Sequence, residues 1–126
     1  MSDERQAGTL QEVLDAFNRH DLDAIMSYFA EDAVFETPRG PDPWGRRFEG
    51  KEEVRRGLAA RFEGIPDVHY GEDKHFACAR RGVSEWTITG TSVDGDPIAV
   101  RGCDIWTFDA DGLITRKDSF WKIRER

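Results

Sequence analysis

The sequence has little cysteine, and the two cysteines it has form no metal-binding motif. Cys78 and Cys103 make neither a CxxC pair nor a zinc-type spacing. A disulfide between them stays open, but the pattern favours two reduced core thiols, as is typical of cytoplasmic proteins. His69 and His75 have no second ligand at metal spacing, so we predict no metal site.

Basic charge is also scarce. The chain has 18 Lys and Arg against 25 Asp and Glu, which gives a formal net charge of −7. Because phosphate groups are bound by basic surfaces, this balance argues against a nucleic acid or an anionic membrane as partner.

Long apolar runs and phosphate-binding loops are missing as well. No segment is long enough to cross a bilayer, and the start MSDERQAG lacks the apolar stretch of a signal peptide. No glycine-rich loop follows a strand, so we expect no nucleotide cofactor, and no cofactor of any kind. We therefore predict a cytoplasmic protein.

What is present suits one folded domain over residues 1–126. The length fits a single domain, and the chain is 38% hydrophobic. Four Trp, two Tyr and eight Phe are enough large side chains to build a core.

The first half of the chain shows three helical patterns. Apolar residues at helical spacing predict a helix over residues 8–19, with a capping box formed by Thr9 and Glu12. Asp21 is expected to cap a second helix. His20 lies between the two, where a helix C-terminus favours an imidazole cap. The apolar face of the second helix would be Leu22, Ile25, Met26 and Phe29, and a third helix is predicted over Lys51–Phe62.

The remaining segments predict strands. A short strand over 33–37 ends at Pro38, and the Pro- and Gly-rich segment 38–50 is expected to be an irregular loop. Trp44 and Phe48 on that loop would pack over the core, or form a lid. From residue 68 the apolar period becomes two, and turns are expected at Arg81-Gly82, Asp94-Gly95 and Asp111-Gly112. This order predicts an α+β fold with helices on one face of a curved antiparallel sheet.

The hairpin over residues 100–123 carries two unexpected acids, Asp104 and Asp118. A charged side chain within an aromatic strand either lies at an exposed edge, or forms an ion pair, or serves as a functional group in a pocket. With a two-residue turn, Asp104 lies opposite Ser119, and Lys117 shares its inner face. With a three-residue turn and a bulge, Asp104 lies opposite Asp118, so two carboxylates share one site. The sequence leaves both registers open.

Strand alternation places apolar Trp86 on the inner wall, near Asp104. There a poorly solvated carboxyl would suit a general acid or hydrogen-bond donor. The rival interpretation is a structural ion pair between Asp104 and either Lys117 or Arg101.

Three stretches resemble the nuclear transport factor 2-like superfamily, in its SnoaL-like and ketosteroid isomerase-like branch. They are HDLDAIMSYFAEDAVFETP, FEGKEEVRRGL and GCDIWTFDADGLITRKDSFW, and the resemblance runs from Leu10 to Trp121. It implies a cone-shaped curved antiparallel sheet wrapped around three N-terminal helices and enclosing an apolar pocket. It also implies a homodimer through the outer sheet face. Family members include isomerases, polyketide cyclases, an epoxide hydrolase, dehydratases and non-catalytic binding modules, so fold alone gives no reaction.

Only some of the catalytic residues of the family are matched in this sequence. The general-base position of ketosteroid isomerase falls on Thr37 and its tyrosine on Val13, whereas its oxyanion-binding acid falls on Asp104. The last-strand acid of SnoaL-like cyclases falls on Ser119, one residue beyond Asp118. The Arg-x-Asp pair of the epoxide hydrolase is absent.

Two functions follow as hypotheses. The first is a cofactor-independent isomerase, cyclase or hydratase acting on a small, largely apolar, oxygenated molecule. Asp104 would donate or shuttle the proton, assisted by Lys117, Ser119 or Asp118. The substrate would contact Tyr28, Thr37, Trp44, Trp86, Trp106 and Trp121. The alternative is a non-catalytic ligand-binding or dimerisation module of the same fold.

Overall fold

The computed structural model describes residues 2–125. Its elements are α1 (Asp3–Asn18), α2 (Leu22–Met26), β1 (Phe29–Glu36), β2 (Arg47–Glu49), α3 (Lys51–Gly64), β3 (His69–Cys78), β4 (Arg81–Thr91), β5 (Pro97–Phe108) and β6 (Ile114–Trp121). The strands form one curved, unclosed sheet in the order β2-β1-β6-β5-β4-β3. The predicted α+β class, with three helices and a curved sheet, is confirmed.

The prediction of a purely antiparallel sheet is wrong at one pairing. β1 runs parallel to β6, with Glu36 opposite Asp118, and only the other pairs are antiparallel. The two strands are far apart in sequence and are joined through α3 and the meander. Local sequence patterns cannot predict a pairing between strands so far apart in the chain. A hairpin turn, in contrast, predicts that the two strands it joins pair antiparallel.

The first helix begins earlier than predicted. Ser2 is the N-cap, and its hydroxyl accepts a hydrogen bond from the Arg5 amide at 3.1 Å. Thr9 lies inside the helix and donates to the Arg5 carbonyl, so the capping box at Thr9 is wrong. The segment before Thr9 is rich in helix-forming residues, which extends the helix beyond its apolar stripe.

The joint between the first two helices follows the prediction only in part. The Asp21 cap is confirmed, since its carboxylate accepts from the Ala24 amide at 3.1 Å. His20 does not cap a helix; its Nε2 lies 2.7 Å from the Val68 carbonyl, and its ring contacts Phe62. α2 ends at Met26, and Phe29 begins β1 instead of belonging to the helix.

The β3–β4 turn lies two residues before the predicted Arg81-Gly82. Ala79 and Arg80 both have positive φ, as a tight hairpin requires. Gly82 is within β4, where an added Cβ would lie 2.7 Å from Leu10 Cδ1. This glycine therefore allows α1 to approach the sheet and does not serve a turn.

The segment 38–50 is more regular than predicted. β2 pairs antiparallel with the end of β1, and Phe48 stacks on Phe35 with 5.9 Å between ring centroids. Trp44 does not pack over the core: it is 42% exposed, and the Arg47 guanidinium lies 4.5 Å from its ring centroid.

The core fills the space between the concave sheet face and the helices. Leu10, Val13 and Phe17 of α1 meet Trp86 and Trp106 of the sheet, all of them buried. Within residues 2–125, no helix has the length and apolar character needed to cross a membrane.

Candidate functional site

A buried polar cluster lies inside the cone. Lys117 Nζ donates to Asp104 Oδ1 at 2.9 Å and to Ser119 Oγ at 2.6 Å. Trp86 Nε1 donates to Asp104 Oδ2 at 3.0 Å, and the Ser119 hydroxyl donates to Asp104 Oδ1. Asp104, Lys117 and Ser119 are only 3%, 5% and 4% exposed. The carboxylate is therefore fully partnered and shielded from solvent.

The register of β5 and β6 brings this cluster together. Asp104 pairs with Ser119 and Trp106 with Lys117. The three-residue turn Ala110-Asp111-Gly112 is the one that occurs: the Asp109 amide donates to the Leu113 carbonyl at 2.8 Å, and Gly112 has a φ of +87°. The Asp109 carboxylate also accepts from the Asp111 and Leu113 amides. A register shift after Thr107 then restores the pairing that a two-residue turn would have given.

Asp118 does not join Asp104, so the two-carboxylate alternative is wrong. It pairs with Ile105 on the opposite sheet face, beside Glu36 and Arg116. Glu36 is 1% exposed and accepts hydrogen bonds from Arg47 at 2.7 Å and from Arg116. Burial and the Glu36 charge raise the pKa of Asp118. No local pattern indicated this ion network, because it depends on the parallel β1–β6 pairing.

The ammonium of Lys117 is enclosed by aromatic rings. It lies 4.7 Å from the Phe35 centroid and 5.5 Å from those of Phe17 and Trp106. Burial lowers the pKa of Lys117, and the Asp104 carboxylate opposes that shift. A lysine in this setting gives up its proton more readily than a solvated one, as acid–base chemistry requires.

A second polar chain runs beside the first. Ser84 pairs with Asp104 on one side and His75 on the other, so polar residues form a row across β6, β5, β4 and β3. Trp106 Nε1 donates to Ser84 Oγ at 3.0 Å, Ser84 Oγ lies 2.7 Å from His75 Nδ1, and His75 Nε2 lies 2.9 Å from Asp73 Oδ2. Burial is outweighed by hydrogen bonds from His75 and Gln11, so the pKa of Asp73 is lowered.

This polar chain was not predicted, because Ser84 and His75 are isolated polar residues in the sequence. The only available signal was the alternation of β4, which puts Ser84 on the same face as Trp86. Within residues 2–125, no group of three or more His, Cys, Asp or Glu side chains is placed to hold a metal ion.

A cleft of about 1000 Å³ opens next to the cluster, between α3, the end of β1 and the ends of β4 to β6. Its walls include Phe35, Thr37, Phe48, Arg61, Ile88 and Trp121. Lys117 lies directly against the ring of Phe35, so aromatic wall residues separate the cleft from the buried ion pair.

The predicted substrate-binding residues divide into two groups. Thr37 and Trp121 line the cleft, although the Thr37 hydroxyl already donates to the Arg39 carbonyl at 2.7 Å. The other four lie elsewhere. Trp86 and Trp106 are buried and donate to the polar chains, Trp44 is on the exposed β1–β2 connection, and the Tyr28 hydroxyl donates to Glu12 at 3.3 Å.

This architecture is similar to that of a known domain family and of several solved structures. The model of the SnoaL-like domain family matches residues 10–117. A crystal structure from Xanthomonas campestris pv. campestris, of a protein named a polyketide cyclase, superposes with a TM-score of 0.83 at 22% identity, covering 95% of this chain and 92% of that one.

Two further solved structures are similar. One, from Burkholderia pseudomallei, is described as an NTF2-like protein of unknown function and has a TM-score of 0.82 at 23% identity, covering 97% of this chain and 92% of that one. A protein from Bacillus subtilis named an isomerase has a TM-score of 0.79 at 21% identity, covering 97% and 90%. No curated protein matches this chain. At these identities the structural likeness shows the fold.

Proposed function

Because this chain belongs to the SnoaL-like domain family, we propose that it is a cofactor-independent acid–base enzyme for a small, largely apolar, oxygenated molecule. The reaction would be an isomerisation, cyclisation, dehydration or hydration. The names polyketide cyclase and isomerase among structures of the same fold support this class. The observation that carries the proposal is the buried Asp104–Lys117 pair, which lies behind the Phe35 ring on the cleft wall.

The energetic cost of burying the Asp104–Lys117 pair supports a functional role for it in addition to any structural one. Removing two charges from water is expensive, and well-packed apolar residues in their place are often equally or more stabilising. An ion pair kept inside an aromatic core is therefore a functional-site candidate, especially where one partner has a perturbed pKa. Lys117 meets both criteria.

The proposed mechanism is proton transfer next to a carbonyl group. The Lys117 ammonium would donate a hydrogen bond to the substrate oxygen, where negative charge develops. Asp104 would take up and return the proton, with Ser119 linking the two groups. Displacement of the Phe35 or Trp121 ring would admit the reacting atoms, since these side chains lie on the cleft wall. Asp118, on the other face, would act only through its charge.

Deuterium exchange tests this mechanism without knowledge of the natural substrate. We expect the protein to accelerate exchange of protons α to the carbonyl in at least one member of a panel of cyclic and aryl ketones. Asp104→Asn should lower that rate by about 100-fold or more, because general acid–base groups contribute about 10²–10⁴-fold. The measurement is proton NMR in D₂O, with circular dichroism confirming that the variant is folded.

Asp118→Asn is the matched control, since it removes a carboxylate from the same strand hairpin but from the outer face. We expect its exchange rate to stay within about threefold of the wild type. A rate in Asp104→Asn equal to that of the unchanged protein would remove Asp104 from the mechanism.

A non-catalytic binding module is the second candidate. Two observations favour it, the first being that every oxygen of Asp104 already has a hydrogen-bond donor. Thr37 and Val13, at the ketosteroid isomerase base and tyrosine positions, also lack the required chemistry. Panel members that bind in the cleft without any exchange would favour this function over the enzyme.

We also propose a homodimer through the outer sheet face. Phe76 and Phe120 are 57% and 47% exposed there, and the strand register brings Val83, Cys103 and Ile105 between them. Large exposed apolar patches mark interaction sites. Cys78 and Cys103 are both free thiols, which fits the proposed cytoplasmic location, but Cys78 is exposed and not a core residue as predicted.

Phe120→Lys tests the dimer. We expect the dimer dissociation constant, measured by sedimentation equilibrium, to rise at least about tenfold, because the substitution introduces a like charge from each copy into an apolar contact. Val93→Lys is the control, since Val93 is 67% exposed but lies on the β4–β5 turn. A monomeric wild type, or an unaffected Phe120→Lys dimer, would contradict this arrangement.

A further inference from the structure

Arg61 is a cleft residue that the proposed acid–base chemistry does not use. It lies on α3, lines the cleft, and is only partly exposed. Its guanidinium stacks on Trp121, with Cζ 4.4 Å from the ring centroid. Stacking fixes one face of the guanidinium, and one N–H group interacts with the buried Tyr70 hydroxyl. The other N–H groups at its edge are left for a planar partner.

This guanidinium has no carboxylate within ion-pair distance among residues 2–125. In contrast, Arg47 and Arg116 bind Glu36, and Arg55 on the same helix binds Asp23. The difference is informative in a chain with seven more acids than bases. A partly buried arginine with five N–H donors is normally satisfied by an anion or by several acceptors.

The cleft around Arg61 has the opposite charge balance from the whole chain. Within residues 2–125, five basic side chains line it, against three acidic ones. The basic set is Arg39, Arg46, Arg61, Lys122 and Arg124. This excess of basic side chains favours an anionic ligand over a cationic one, because the field in a cleft attracts ligands of opposite charge.

Part of the cleft wall is apolar. Phe35, Ile88, Val100 and Trp121 line the cleft together with Arg61. Arg61 also affects the buried cluster, since its charge opposes protonation of Lys117 and lowers the pKa of that lysine, an effect secondary to burial. Arg61 and the proposed proton-transfer groups therefore lie within electrostatic reach of each other.

We propose that Arg61, held flat on Trp121, binds a carboxylate of the substrate and orients its apolar body toward Phe35 and Lys117. The substrate class is then an oxo acid or unsaturated acid, with a carboxylate at one end and a carbon skeleton that fits the apolar wall. This inference rests on the proposed function, because it adds substrate class to the same site. A planar carboxylate matches the guanidinium fork better than a point charge would.

Binding of defined probes tests the assignment. Calorimetry should show that wild-type protein binds phenylbutyrate at least about tenfold more tightly than its neutral amide, phenylbutyramide, as expected for a charge-assisted contact. Arg61→Gln should lose that preference while keeping its affinity for the amide. Arg61→Lys should keep only part of it, since lysine lacks the fork.

Arg55→Gln is the matched control on the same helix, and its preference should equal that of the wild type. Equal binding of acid and amide by the wild type, no binding of either, or a preference that survives Arg61→Gln would overturn the assignment. Tighter binding of phenylethyl phosphate than of phenylbutyrate would replace the carboxylate with a phosphate ester. Because these measurements involve no turnover, they fail independently of the ketone exchange assay.

Discussion

Asp104→Asn is expected to lower the free energy of unfolding by about 3–5 kcal/mol at neutral pH, as is typical when one partner of a buried ion pair is removed. The substitution leaves the Lys117 ammonium buried among aromatic rings without a counter-ion. Asparagine keeps an acceptor for Trp86, so the loss reports the charge and not the indole hydrogen bond. Urea unfolding followed by tryptophan fluorescence measures it.

The loss of unfolding free energy in Asp104→Asn should depend on pH, and the pKa of Lys117 determines the direction of that dependence. Burial lowers the pKa of Lys117 below its ordinary value of 10.5, so the unfolded chain holds more protons between the two values. The stability of Asp104→Asn should therefore increase as pH rises toward 10.5, more steeply than in the wild type, because Asp104 no longer supports the charged form. The unfolding free energy at pH 7 and pH 9.5 gives this slope.

The double variant Asp104→Asn/Lys117→Met is the control for this argument. It removes both charges and leaves a flexible apolar side chain in the aromatic cage, so most of the lost stability should return. Its stability should also lose the steep dependence on pH. A double variant no more stable than Asp104→Asn would show that the loss arises from packing.

Gly102→Ala is expected to destabilise the protein by about 3 kcal/mol, the upper end for overpacking a close-packed interior. A Cβ at this position would lie 2.4 Å from the Phe120 carbonyl oxygen and 2.6 Å from the Trp86 ring. Gly102 therefore gives the indole its space on β5 and places Trp86 Nε1 beside Asp104. The chemical shift of the Trp86 indole proton should change along with the unfolding free energy.

Gly71→Ala is the matched control, another strand glycine replaced by the same residue. An added Cβ there meets only the His69 ring at 3.5 Å, an ordinary contact. We expect its unfolding free energy to stay within about 1 kcal/mol of the wild type, since alanine is preferred to glycine inside regular structure. Equal losses at both positions would contradict the proposed role of Gly102.

Much of the fold was accessible from local pattern. Apolar spacing located three helices, and the change to a period of two located the meander, because these periods decide which side chains share a face. The Asp21 cap was found from its residue type and position. Turns were harder: the positive φ of Ala79 and Arg80 was invisible beside the more obvious Gly82.

The site was predicted in part. One of the two registers left open placed Asp104, Lys117 and Ser119 on one face, and the structure brings these three together with Trp86. The surroundings were harder to foresee. Trp106 and Trp86 are buried hydrogen-bond donors outside the cleft lining, and Arg61, which lines the cleft, was not among the predicted site residues.

By itself, the sequence determined most of the secondary structure classes, the alternation of side chains between the two faces of a strand, and the presence of an acid among aromatics. These properties depend on residues close together in the chain. Only the tertiary structure decided the parallel β1–β6 pairing, the burial of Glu36 between two arginines, and the stacking of Arg61 on Trp121. Each of these joins segments far apart in sequence, and their meeting depends on how the whole core packs.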